Sequence, residues 1–160
     1  VLTYDVSTLE PQLSCPQGVD NVYPISEVLG TPMDEVYIGS CTNGSLEDLK
    51  AAADILRGKK VANHVRVIVV PATNTVFKEA IEKGYIKDFI EAGCVISHPC
   101  CGLCCGMPYG LMYDDERILL TANRNFIGRQ GTKKTLGYLS SPAVAAATAL
   151  TGVVTDPRTL

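Results

Sequence analysis

The 160-residue chain lacks any apolar run near the roughly 20 residues needed to cross a bilayer, so no membrane is among its expected partners. It also lacks a cationic excess: 14 Lys and Arg stand against 17 Asp and Glu, for a formal net charge of −3. Nucleic-acid binding needs a clustered basic surface to neutralise phosphates, and none is present, so no nucleic-acid partner is expected either. No internal repeat, low-complexity segment or linker interrupts the sequence. A composition of 46% hydrophobic and 19% charged residues is too apolar for disorder. The length suits one domain, 1–160, burying roughly two-thirds of its unfolded surface. No charged-then-apolar leader opens the chain, which makes the cytoplasm the expected location.

What the sequence does have is thiol. Four of its seven cysteines fall within residues 100–105, in HPCCGLCC (98–105); Cys15, Cys41 and Cys94 lie apart. A disulfide staple, a zinc site and an iron–sulfur ligand set compete to explain this. Secreted disulfide scaffolds are usually shorter, with even and dispersed cysteines, and neighbours such as Cys100 and Cys101 can bridge only through a strained ring. The staple is the weakest of the three. Zinc usually takes four ligands in two close pairs, and the second pair is missing here. His98, beside Pro99 in a loop, reads as a structural hydrogen-bonder. A Cys-x-x-C alone signals thiolate chemistry and little more. Four exposed thiols would also make this loop easily oxidised.

Hydrophobic runs and helical patterns alternate from about residue 35. VYIGS (36–40) reads as a short buried strand, and the following helix has Leu46, Leu49, Ala53 and Leu56 at helical spacing behind a Ser45 N-cap. VRVIVVPA (65–72) is β-branched on both faces, which suits an interior parallel strand. TVFKEAIEKG is predicted as a helix capped by Thr75 and closed by Gly84 at C′; IKDFIEAG is a second, ending at Gly93. CVIS (94–97) and RILLTA (117–122) are strands. SSPAVAAATALTG is a helix with Ser141 as cap, Pro142 at N1 and Gly152 closing it. The first 35 residues are an irregular lead-in: VLTYDVS suggests an edge strand, and LEPQLSCPQGVDNVYP an extended loop. Steps of 25 to 30 residues from strand to strand imply right-handed βαβ crossovers. The fold class is therefore α/β, a three-layer α/β/α domain around a mostly parallel, doubly wound sheet.

Three unusual segments each follow a strand directly: SCTN (40–43), HPCCGLCC, and NRNFIGR (123–129). Ligands of open parallel sheets bind beyond the carboxyl ends of the strands, so these segments are expected to meet. Their meeting would gather thiolates, small amides and two arginines in one cleft. Each part has a bland reading as well. Cys41 alone could be a small buried hydrophobe, and Arg124 and Arg129 could be surface charges. Two arginines within six residues, separated by Asn125, Phe126 and Gly128, nevertheless suit bidentate capture of carboxylates.

SCTNGSLEDLKAA, the Cys-x-x-C of CCGLCC, and NRNFIGRQG followed by SSPAVAAATALTG resemble, in order and spacing, the aconitase superfamily, most closely its isopropylmalate dehydratase and homoaconitase branch. The resemblance covers nearly the whole chain. It implies a [4Fe–4S] cluster on three cysteines, Cys41, Cys101 and Cys104, which leaves one iron open as a Lewis acid. It implies that Asn43 and Asn123 orient the cluster's surroundings and that Arg124 and Arg129 hold substrate carboxylates. The implied reaction isomerises a hydroxy di- or tricarboxylic acid by dehydration and rehydration. The family places glycine and an apolar residue where this chain has Cys100 and Cys105, so both stay open as alternative ligands. The other reading is a non-catalytic thiol-rich metal-binding or redox domain, which the paired arginines disfavour. The family's remaining iron-site groups lie upstream, and its serine base lies on a swivelling domain or small subunit. With the opening on Val1, this implies a fragment of a larger large subunit, inactive alone. Its partners would be the remaining large-subunit domains and that small subunit.

Overall fold

A computed structural model of the chain describes residues 1–106 and 109–160. Its N-terminal part departs from expectation, because residues 1–6 form no strand. The sheet edge is made instead by an antiparallel hairpin of β1 (Gln12–Ser14) and β2 (Val22–Pro24), within the stretch expected to be a loop. One helical turn follows, α1 (Ile25–Val28). Three-residue strands separated by Pro16, Gly18 and Asp20 carry too little alternation to be legible as a pattern. Long-range packing forms them instead. Leu13 is fully buried, and the buried Asn125 amide donates to Ser14 Oγ (3.2 Å) and to the Cys15 carbonyl (2.9 Å), more than 100 residues away.

The central elements follow the sequence closely. β3 (Glu35–Gly39) runs into a single turn, α2 (Ser40–Asn43), and then α3 (Leu46–Leu56). β4 (Arg66–Val70) leads to α4 (Asn74–Glu82) and α5 (Tyr85–Ala92), and β5 (Val95–Ile96) closes that half. After a 3₁₀ turn (Gly102–Cys105) come β6 (Arg117–Leu120), β7 (Leu136–Leu139) and α6 (Pro142–Thr151). Ser45 caps α3 in a capping box with Asp48, and Ser141 caps α6 with Pro142 in its first turn. α4 is capped by Thr73, two residues before the expected Thr75; the Thr73 hydroxyl accepts from the Val76 amide at 3.2 Å. β7 was not anticipated, since Gly137 and its polar flanks mask it. Parallel pairing with β6 on one side and an antiparallel contact with β1 on the other define it.

The strand order is β2-β1-β7-β6-β3-β4-β5, with the five strands from β7 to β5 all parallel. Side chains alternate between two cores. Val36, Ile38, Val67, Val69 and Leu119 face the helices, packing with Leu49, Ala53, Phe89, Val144 and Ala145. Tyr37, Ile68, Val70, Ile118 and Leu120 face the other way, against Leu103, Cys104 and Met112. The third layer is thus built from the cysteine loop and the segment around Met112 rather than from long helices. Right-handed crossovers explain the division. The chain steps from β3 to β4 to β5 in one direction with its helices on one face. It then crosses back under the sheet to β6 on the opposite side of β3. That reversal puts a topological switch point between β3 and β6.

At the far end of β3 lies a buried acid. Glu35 is fully buried, accepts from Arg66 Nε at 2.8 Å, and leaves its Oε1 without a partner. Burial pushes its carboxyl up to about 7, against the downward pull of Arg66. The folded chain therefore holds this proton more tightly than the unfolded chain does. Its contribution is fully present at low pH and is lost as pH rises through the raised value. Stability of the wild type is expected to fall between about pH 4.5 and 7, and Glu35→Gln to remove that slope. Urea midpoints measured across this window check both.

Candidate functional site

The switch point is closed by one residue absent from the sequence-based candidates. Thr121, fully buried one position past β6, accepts from the Gly39 amide through its hydroxyl (2.8 Å) and lies 3.3 Å from the Gly39 carbonyl. Its own carbonyl accepts from the Asn43 side-chain amide. The ends of β3 and β6, 82 positions apart at Gly39 and Thr121, are therefore tied directly. Gly39 has φ +115°, and a Cβ there would run into the Val70 carbonyl. Ser40 follows in the left-handed region (φ 83°) and is fully buried. Non-glycine residues hold such a backbone only where their surroundings enforce it. The turn it makes lifts Cys41 to the surface at the head of the sheet. A polar residue one step beyond a core strand, at the switch position, was the signal available for Thr121.

The second thiol segment is seated on the sheet from below. Leu103 is fully buried in the second core. The Tyr37 hydroxyl donates to the Cys101 carbonyl at 3.1 Å, and a Cβ on Gly102 would lie 2.5 Å from that hydroxyl. Backbone bonds from the Cys104 amide to the Cys101 carbonyl and from the Gly106 amide to the Leu103 carbonyl, both 3.0 Å, coil residues 101–106 tightly. The four clustered cysteines then separate. Cys101 and Cys105 are exposed, Cys104 is buried with its Sγ 4.0 Å from Asn123 Oδ1, and Cys100 is half-buried with its Sγ 3.7 Å from Ser97 Oγ. Two of the four are exposed, rather than all. Of the outlying cysteines, Cys41 alone joins them. Cys15 and Cys94 are buried, and burial pushes the Cys94 thiol up to about 12, the behaviour of an inert core thiol.

Electrostatics register the convergence. The Cys101 thiol is pushed up by neighbouring thiols, Cys105 first and Cys41 next, with burial and Cys104 adding to them. Burial raises Tyr37, with Cys100 and Cys104 the leading thiol contributions. Segments 40–43 and 101–105 thus share one electrostatic neighbourhood. Of the arginines, Arg129 joins it: its Nε donates to the Cys104 carbonyl at 2.6 Å, and its guanidinium carbon lies 5.2 Å from the centre of the Phe126 ring. Arg124 is exposed and donates to the carbonyl of Asn123 beside it (2.6 Å), while the Gln130 side chain donates to the Arg124 carbonyl (2.9 Å). Asn123 is exposed above Cys104, and Asn43 is half-buried. His98 rests edge-on against Phe77 with ring centroids 5.8 Å apart.

Among the described residues, no three His, Cys, Asp or Glu side chains converge as one metal ion would need. A polynuclear cluster makes a different demand, because each thiolate binds a separate iron and the ligands surround a volume. Thiols carried by two separate segments, the exposed Cys41 and the 101–105 turn, suit the second demand.

Fold and site together define an α/β domain that gathers cysteines at a topological switch point. Residues 1–152 match the model of the aconitase family (aconitate hydratase), and the chain belongs to that family. It is 52% identical over 155 residues to the probable 3-isopropylmalate dehydratase large subunit of Methanosarcina mazei, covering 97% of this chain and 37% of that relative. It is 54% identical over 154 residues to 3-isopropylmalate dehydratase large subunit 1 of Archaeoglobus fulgidus, covering 96% and 37%. With the 3-isopropylmalate dehydratase large subunit of Nitratidesulfovibrio vulgaris, identity is 49% over 159 residues, covering 99% and 38%. The chain therefore spans less than two-fifths of the length of these relatives. Dehydratases of the aconitase family carry a [4Fe–4S] cluster. No helix among the described residues is long and apolar enough to cross a membrane.

Thr121→Val keeps the side-chain volume but leaves the Gly39 amide unpaired in a buried setting. It is expected to cost about 1–3 kcal/mol, read as a lowered urea midpoint, and to speed alkylation of Cys41 without changing that of Cys105.

Proposed function

We propose that this chain is the cluster-binding and carboxylate-binding portion of a hydro-lyase that isomerises a hydroxy di- or tricarboxylic acid, most specifically 3-isopropylmalate, by dehydration and rehydration. The observation that carries this reading is the convergence of three segments at the switch point, where the Asn43 side chain donates to the Thr121 carbonyl, Cys104 Sγ lies 4.0 Å from Asn123 Oδ1 and Arg129 Nε donates to the Cys104 carbonyl at 2.6 Å, supported by the names of relatives at about half identity. Cys41, Cys101 and Cys104 would hold a [4Fe–4S] cluster. When bound, it supplies an open Lewis-acid iron suited to labilising a hydroxyl group.

The chain's own residues do the rest. Asn43 and Thr121 lock the Cys41 turn to the β6 end, so the ligand segments are presented with little freedom to lose on assembly. Asn123 stands beside Cys104 and offers an amide to the same space. Arg124 and Arg129 supply guanidinium groups for substrate carboxylates. Arg129 spends Nε on the Cys104 carbonyl, which holds its guanidinium beside the cysteine turn. The proton-transfer base, the remaining large-subunit domains and a small subunit would complete the site from outside this chain. Free thiols in this number suit a reducing cytoplasm.

Anaerobic reconstitution is expected to load roughly four iron and four acid-labile sulfide per chain. Cys41→Ser should lose or destabilise that load, while Cys94→Ser should keep it. Zinc without sulfide, indifferent to Cys41, would overturn the cluster reading. Without its partners the purified chain is expected to show no dehydratase turnover, checked by ultraviolet absorbance of the alkene product.

A further inference from the structure

Arg124 and Arg129 sit at the two ends of one closed loop, and a buried amide joins those ends. Gln130 is 2% exposed. Its Nε2 donates back across six positions to the Arg124 carbonyl at 2.9 Å, and its own carbonyl accepts from the Met112 amide at 3.0 Å. Between the ends, the Arg129 amide donates to the Phe126 carbonyl at 3.0 Å, and Gly128 turns through the left-handed region (φ 76°). Phe126 and Ile127 are exposed at the tip. The base of the loop is fixed to the sheet twice more. The buried Asn125 amide donates to the Gly137 carbonyl of β7 at 3.1 Å as well as to Ser14 and Cys15. Gly131 pairs with Met112, and a Cβ there would run into the Met112 carbonyl. A buried side-chain amide is unfavourable unless it is paired. Gln130 pairs its own with the backbone of a residue whose side chain is exposed.

We infer that Gln130 is a positioning residue that fixes the separation of Arg124 and Arg129, and thereby sets the spacing of the two carboxylates that one ligand can present to them. The inference rests on the assignment of those arginines to substrate carboxylates. Arg129 directly precedes Gln130, and its guanidinium is held by the Cys104 carbonyl (2.6 Å from Nε) and by the Phe126 ring (5.2 Å). The Arg124 guanidinium has a weaker hold, a bond to the carbonyl of the adjacent Asn123. Its backbone is tied to the Arg129 end by the Gln130 side chain. Two guanidinium groups at a fixed spacing favour a dicarboxylate over a monocarboxylate, because the second ion pair forms without ordering the loop. Without the Gln130 bond each arginine still attracts a carboxylate, but joint capture has to order the loop first. Gln130 thus acts through Arg124 and not on the ligand itself.

The test titrates the reduced, cluster-free 160-residue chain with 3-isopropylmalate and with 2-hydroxy-4-methylpentanoate, the same skeleton without its second carboxylate. Affinities are read from nuclear magnetic resonance shifts, and amide exchange is followed at Arg129. Wild type is expected to bind the dicarboxylate at least about tenfold more tightly. Gln130→Met keeps the side-chain length but has no donor for the Arg124 carbonyl. It should reduce the preference to about twofold, leave monocarboxylate affinity unchanged, and speed exchange of the Arg129 amide about tenfold while Leu119 in β6 stays protected. Gly137→Ala is a second variant, on extended strand backbone. Its Cβ would lie 2.8 Å from Gln130 Oε1 and 3.4 Å from Asn125 Cβ, so the Gln130 amide has to shift and the preference should fall in the same direction. Circular dichroism establishes which variants fold, and Gly137→Ala carries the test if Gln130→Met does not. A wild-type preference retained in the folded variant, or an equal loss of both affinities, would overturn the inference and leave the carboxylate assignment standing. The absence of any preference in wild type would overturn that assignment and this inference with it.

Discussion

The fold's functional end depends on a single polar junction between two strands distant in sequence. Thr121 joins Gly39 and Asn43 through a hydroxyl and a carbonyl, at the one place where the winding of the sheet reverses. Hydrophobic burial alone would bring β3 and β6 together, since Val36 pairs with Leu119 and Tyr37 with Leu120. It would not specify the path of the chain after β3 ends. The left-handed Ser40 and the close approach of Gly39 to β4 are unfavourable in isolation. They persist because buried hydrogen bonds over-determine them. Stability is thus exchanged locally for a defined exit of the Cys41 turn.

The layered architecture was readable because burial on both faces leaves a strong signature. VYI (36–38) and VIVV (67–70) carry apolar side chains at every position, and α3 and α6 announce themselves through their Ser45 and Ser141 caps. The meeting of SCTN, HPCCGLCC and NRNFIGR followed from the rule that loops beyond carboxyl ends of parallel strands converge. What escaped was structure made by distant partners. The β1–β2 hairpin has strands of three residues held by Asn125. β7 is defined by its neighbours more than by its own LGYL. Thr73 and Thr75 both offered a hydroxyl to α4, and only the reach to the Val76 amide separates them.

The cysteines show the same boundary at the level of chemistry. Spacing distinguishes a thiolate site from a disulfide scaffold, since four cysteines in six residues cannot staple a domain. Spacing does not say which of four neighbours face solvent. That depends on the direction in which Leu103 anchors the turn and on Tyr37 holding the Cys101 carbonyl. Two contacts from the sheet to the loop thereby turn a run of identical residues into chemically distinct positions.

The cysteine turn is also the roof of the second core. Leu103 and Cys104 cover Ile68, Ile118 and Leu120, so the backbone that presents thiols to one side excludes water on the other. Any ligand held by that turn acts on both. Energy gained by ordering the thiols adds to the cohesion of the sheet, because mass action on the folded state is felt as stability. Conversely, loosening the turn would open an apolar face to solvent. In such an arrangement the occupancy of the site and the integrity of the domain are two views of one equilibrium.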